Sequence, residues 1–198
     1  GGNHHHWQPR HLRWRPEPAH RLPAQRTRER DEHHRVGQRR EQGGPAPAVG
    51  MALGRYATGQ YRGPPGQAQA EHVAGFILDN PNLPKDLIPY WDFNAPDIPH
   101  ADRDASAGAI MASALLELST FTKNKSAQKR YLSSAKKMLV SLSSPAYLSR
   151  PGQNGGFLLM HSVGSLPGNA EVDVPLTYAD YYFVEALLRY RNWILPKS

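Results

Sequence analysis

From residue 68 onward the chain alternates short stretches of helical period with long proline-rich loops. AQAEHVAGFILDN (68–80) places Ala70, Val73, Ala74 and Ile77 on one stripe, which predicts a helix. Asn80-Pro81 ends it, because the residue before a proline is pushed out of the helical region. PNLPKDLIPYWDFNAPDIPHADR (81–103) carries five prolines and interleaves aromatics with acids, so it reads as an ordered loop of a length that is commonly functional. DASAGAIMASALLELSTF (104–121) predicts a helix rich in small residues with Asp104 as its N-cap. SAQKRYLSSAKKMLVSL (126–142) predicts an amphipathic partner with Tyr131, Leu132, Ala135, Met138, Leu139 and Leu142 inward and Ser126 as the N-cap. Four residues join these two, which suits an antiparallel hairpin. Residues 145–170 read as loop with an extended run, FLLMHSVG. VDVPLTYADYYFVEALLRYRNWI (172–194) predicts a long last helix with Pro175 in its first turn, and with Glu171 and Asp173 at its positive end. The fold class is therefore all-α, and neither βαβ alternation nor a β-meander spacing competes with it.

Charge splits the chain in two. Residues 1–67 hold twelve arginines, no lysine, seven histidines and five acids, so the whole formal charge of +7 belongs to them, while residues 68–198 balance to zero. Residues 1–49 show no sustained period and almost no aliphatics, and such a segment buries too little apolar surface to offset its ordering entropy. Three readings fit 1–67: a disordered linker, a basic arm for nucleic acid or heparin-like polymers, or GC-rich codons read out of frame. The last is suggested by the absence of Lys, Ile, Tyr and Phe before position 50. Residues 68–198 then form a neutral globular domain.

The chain has no cysteine, which removes disulfides, thiolate metal sites and a cysteine nucleophile. No apolar run reaches 18 residues and no signal peptide opens the chain, so no membrane association is expected and the expected location is cytoplasmic. Metal-ligand spacing, a phosphate-cradling glycine loop and a nucleophile elbow are missing from the sequence, and no cofactor is expected. Candidate chemistry lies in three segments: YWDFNAPDIPHADRDASA (90–107), LLMHSVGSLPGNAEVDVPL (158–176) and TYADYYFVEALLRY (177–190). Each also has a structural reading. Trp91 and Phe93 suit a hydrophobic plug, Arg103 an ion pair with Asp104 or a clamp for an acidic ligand, His161 a hydrogen-bonded structural role, and the tyrosines after 177 helix packing.

Taken together the three segments resemble the C-terminal part of glycoside hydrolase family 88, the unsaturated glucuronyl hydrolases. Tyr-Trp-Asp-Phe, Arg-Asp-x-Ser-Ala, His-Ser-Val-Gly and Glu-Val-Asp-Val-Pro-Leu-x-Tyr-Ala-Asp-Tyr-Tyr recur there in this order, over roughly residues 70–192. The resemblance implies the C-terminal portion of an (α/α)6 barrel with its active site in loops at one end. It implies removal of a 4,5-unsaturated glucuronic acid from the non-reducing end of glycosaminoglycan-lyase products. In that reaction one aspartate protonates the C4=C5 bond and activates water for addition at C5, while a second sets its pKa. Those aspartates lie upstream of every matched phrase, so no catalytic residue is assigned and the chain is expected to be an incomplete, inactive copy. A family motif close to Trp-Ala-Arg-Gly-Gln-Ala-Trp has only an imperfect counterpart, AVGMALGRYATGQYRG at 48–63, without either tryptophan.

The resemblance carries substrate-binding roles to His161, Ser162 and Ser165, with Trp91, Arg103 and Asp104 as further candidates. Pro167 stands where the family has a lysine linked to sulfate recognition, which puts sulfated substrates in doubt. The expected partner is an unsaturated chondroitin, hyaluronan or heparin disaccharide rather than nucleic acid. The competing classes are an unsaturated rhamnogalacturonyl hydrolase, an arginine-rich polyanion-binding protein on a helical scaffold, and a helical interaction module without chemistry.

Overall fold

The computed structural model describes residues 64–196. The arginine-rich segment and the 48–63 stretch lie outside the described residues, and so do the readings that rest on them. Four α-helices follow: α1 (Pro64–Leu78), α2 (Ala105–Phe121), α3 (Lys125–Leu142) and α4 (Thr177–Arg189), the last running into a wider turn at Tyr190–Ile194. Among the described residues β-pairing is confined to isolated bridges.

Helix α2 is the centre of the molecule. Every residue from Ala105 to Ser119 is buried, as expected of a helix that is apolar or small all round. Its small residues let neighbours approach closely. A Cβ at Gly108 would come within 2.9 Å of the Ile88 Cδ1 atom, so the proline-rich loop packs onto the helix where a side chain is missing. Helix α3 is amphipathic and returns along α2, burying Tyr131, Ala135, Met138, Leu139 and Leu142 at helical spacing. Its cap is Asn124 rather than Ser126: the Asn124 side chain accepts from the Ser126 and Ala127 amides at 3.0 and 3.1 Å, which fixes the start two residues earlier.

Helix α4 buries Ala179, Phe183 and Ala186 against α2. Contacts align the two helices in the same direction. Tyr178 lies beside Ser106 at their starts, Glu185 bonds Ser113 midway, and Arg189 reaches Glu117 near their ends. Two parallel helices with an antiparallel return between them in sequence make a layered helical-hairpin arrangement. The last helix starts at Thr177, not at 172, because residues 171–174 are held in backbone bonds to 162–164 and are unavailable to a helical ladder. Glu171 and Asp173 accordingly belong to a loop instead of a helix start.

Candidate active-site loops

Two long loops, 79–104 and 143–176, meet at the shared N-terminal end of α2 and α4. The first is closed by a bridge between Tyr90 and Arg103, with the Trp91 amide donating to the Asp102 carbonyl and the Asp104 amide to that of Pro89, both at 2.9 Å. Phe93 is fully buried, edge-on to Phe76 at 5.8 Å, while Trp91 is half-buried beside a small cluster of Tyr90, Ala95 and Ala101. Arg103 pairs with Asp86, not with Asp104. Its Nε donates to the Ile88 carbonyl at 3.0 Å and the terminal nitrogen that pairs with Asp86 donates there too at 2.6 Å, while the guanidinium lies 5.1 Å from the centre of the Tyr90 ring. The arginine thus locks the loop on itself. Asp86 is the second anchor: Tyr147 donates its hydroxyl to the carboxylate at 2.9 Å, and Ser141 donates to its carbonyl at 2.7 Å. Burial, more than the Asp86 carboxylate, holds the Tyr147 hydroxyl above its ordinary range and therefore protonated.

Asp104 joins the two loops. It is fully buried, and its Oδ1 accepts from the Ser106 and Ala107 amides at 3.0 and 3.2 Å and from the Ser106 hydroxyl at 2.6 Å. Across the loop boundary the same oxygen faces the Val163 amide at 3.5 Å, and the Ala105 amide donates to the His161 carbonyl at 2.9 Å. Burial pushes the Asp104 carboxyl up to about 6, against the lowering effect of the Ser106 hydroxyl and the three amides. Neither Asp104 Oδ2 nor the buried Ser162 hydroxyl has a hydrogen-bond partner among the described residues. Tyr178 is pushed up by burial too, with Asp104 and Glu171 adding to it and a bond from Ser106 opposing it.

The second loop folds back at 161–174 as an irregular hairpin. Ser162 and Val174 exchange both backbone bonds, at 3.1 and 3.0 Å, as do Ser165 and Ala170 at 3.0 Å. Between these pairs the register slips by one residue: two residues, 172 and 173, stand opposite Val163, as in a β-bulge. The bulge turns Asp173 toward His161, and Nδ1 of His161 lies 2.6 Å from the Asp173 carboxylate. Glu171 folds over Gly164, where a Cβ would clash with its carboxylate. Ser165 is exposed at the hairpin tip with Pro167. Asp180, in the first turn of α4, anchors the preceding segment by accepting from the Leu158 and Leu159 amides at 2.8 and 2.9 Å.

Of the six expected site residues, Asp104, His161 and Ser162 are brought together, Ser165 lies on the same hairpin, and Arg103 and Trp91 border them from the first loop. Asp104 and Ser162 are buried beneath the surface that His161 and Ser165 present. Asp86 and Asp180 carry no signal in the sequence, since an acid that anchors a distant segment looks locally like any other loop or first-turn acid, and Asp173 reads there only as a helix-start acid, not as the partner of His161. Among the described residues no group of three His, Asp or Glu side chains is placed to hold a metal ion. No described helix is long and apolar enough to cross a membrane.

No family model matches the chain. The chain is 53% identical over 128 residues to an unsaturated glucuronyl hydrolase of Formosa agariphila, a match covering 65% of this chain and 31% of that protein. It is 36% identical over 113 residues to an unsaturated chondroitin disaccharide hydrolase of Streptococcus pyogenes, covering 56% of this chain and 28% of that one. The crystal structure of an unsaturated glucuronyl hydrolase specific for heparin superposes with a TM-score of 0.71 at 43% identity, over 75% of this chain and 40% of the other. The Bacillus sp. GL1 enzyme superposes with a TM-score of 0.69 at 25% identity. The described helices are thus a portion of an α/α barrel of the glycoside hydrolase type. The curated and structural relatives are consistently unsaturated glucuronyl hydrolases or unsaturated chondroitin disaccharide hydrolases, and the chain spans about a third of the length of the curated relatives it matches.

Proposed function

We propose that the protein is a partial copy of a hydrolase that removes 4,5-unsaturated glucuronic acid from the non-reducing end of glycosaminoglycan-lyase products by hydrating the C4=C5 bond. The observation that carries the reading is the junction at Asp104, where the Tyr-Trp-Asp-Phe loop and the His-Ser-Val-Gly hairpin are tied into one surface at the N-terminal end of two parallel helices. In this reading residues 68–198 form the saccharide-binding portion. His161 and Ser165 meet the sugar, while Ser162, Asp104, Arg103 and Trp91 hold the loops that present them. Chondroitin, hyaluronan and heparin disaccharides are the proposed ligands, and the cytoplasm the proposed location.

The reading supplies binding without turnover. In the 198-residue chain the ultraviolet absorbance of an unsaturated chondroitin disaccharide is expected to persist, while the sugar shifts amide signals of residues 161–165 in an NMR titration. Turnover abolished by Asp92→Asn or Asp104→Asn would show that the chain contains catalytic carboxylates and refute its incompleteness. A titration with no shifted signal would remove the saccharide reading.

A further inference from the structure

We propose that Asp173 is a positioning residue which fixes His161 as the Nδ1–H tautomer, so that Nε2 accepts a hydrogen bond from a sugar hydroxyl; this rests on the saccharide reading above. Both residues have left-handed backbones, φ +62° at His161 and +53° at Asp173, and neither is glycine. Such conformations persist where the surroundings over-determine them, and they cluster at ligand sites. Here the determinants are visible. The paired backbone bonds of Ser162 with Val174 fix the spacing of the two neighbours, and the Ala105 amide holds the His161 carbonyl to the first turn of the buried helix α2. The Tyr147 ring stands edge-on to the imidazole at 6.4 Å and 81°.

An ionised carboxylate only accepts, so the 2.6 Å contact requires Nδ1 to donate. In the neutral imidazole the other nitrogen then carries a free lone pair. No residue among those described uses it, and the His161 side chain is 44% exposed beside Ser165 on the hairpin. A ring pinned through one nitrogen and open at the other is an oriented acceptor, with its ordering entropy already spent before a ligand arrives. Hydroxyls are the donors a neutral acceptor of this kind selects; a uronate carboxylate, having no proton to give, is repelled.

The test is imidazole nitrogen NMR on the full 198-residue chain above the histidine titration range, with the His161 signals identified by their loss in His161→Gln. The expected result is a protonated Nδ1 and an unprotonated Nε2, with the Nε2 signal moving when unsaturated chondroitin disaccharide is added. Asp173→Gly suits the positive φ and removes the carboxylate. It should let the tautomer revert toward Nε2–H and weaken disaccharide binding about tenfold, the size of one lost hydrogen bond. Asp173→Asn keeps an acceptor oxygen and tolerates the same backbone, so it should restore both. Thermal melting of each variant checks that the fold is intact. An Nε2–H tautomer in the unmodified chain overturns the proposal, and so does a tautomer indifferent to Asp173→Gly. Disaccharide binding that moves other signals but neither Nε2 nor the affinity of Asp173→Gly also overturns it while leaving the saccharide reading standing. Failure of the disaccharide to bind at all removes both.

Discussion

At Asp104 the cap and the burial pull in opposite directions. An acid before an alanine-rich helix is a favoured N-cap, and its carboxylate does satisfy two orphan amides of α2. The loops that cover it, however, remove its water, and its carboxyl is pushed up to about 6 from an ordinary 3.8. A folded-state pKa above the unfolded one means that the folded protein binds the extra proton between those values. Stability from this group is therefore full below about pH 4 and is lost as pH rises through 6, by roughly 3 kcal/mol for a shift of this size. Asn caps a helix as well as Asp and carries no charge. Asp104→Asn should consequently gain on the unmodified chain as pH rises from 4 to 7, and thermal melts of both across that range would show it. A difference in melting temperature that stays flat with pH would mean that the carboxylate keeps access to water. The cap was legible in the sequence, since it depends on neighbours two and three residues away. The burial was not, because the loop that covers the carboxyl arrives at Val163, some sixty residues downstream.

Local periodicity located the helices well where tertiary contacts agree with it. The stripes of α1 and α3 needed only the spacing of their apolar residues, and four-residue proximity made the α2–α3 hairpin predictable. Helix α4 starts five residues after the position its local pattern predicts, because the bonds that claim residues 171–174 reach back across the hairpin, and no local pattern encodes them. The pairing of α2 with α4 was likewise invisible, although it uses ordinary side chains. Arg189 lies 2.8 Å from Glu117 and 3.4 Å from Glu185, and donates to the Ser113 carbonyl and hydroxyl at 2.9 and 2.8 Å. These groups are largely shielded from water, so removing the cation leaves two carboxylates facing each other in a poor solvent for charge. Arg189→Met should cost about 3 kcal/mol in urea denaturation, and Glu117→Gln added to it should return part of that loss. Because the three side chains form one network, the double variant should depart from additivity by more than about 0.5 kcal/mol. Simple additivity would show that the helices are held by their small apolar contacts alone.

Over the whole molecule the described helices leave one surface incomplete. Helix α4 covers α2 with Ala179, Phe183 and Ala186, but its other side carries Tyr181, Val184, Leu187 and Leu188 at 40 to 61% exposure, continued by Trp193 and Leu195. Apolar residues three and four apart on a solvent face are the pattern of a helix that packs on both sides. An α/α barrel closes a ring of helical hairpins, and the four described helices do not by themselves close one. The exposed stripe should therefore bind a hydrophobic dye in the folded state and drive association that grows with protein concentration. Val184→Lys combined with Leu188→Glu would place charges on the stripe without touching the α2 contact, and surface changes of this kind usually alter stability by no more than about 0.5 kcal/mol. Dye fluorescence and the sedimenting mass should both fall in that double variant while its melting temperature holds. If the unmodified chain is monomeric and dye-silent at high concentration, the α4 stripe is covered in solution by something other than the described helices.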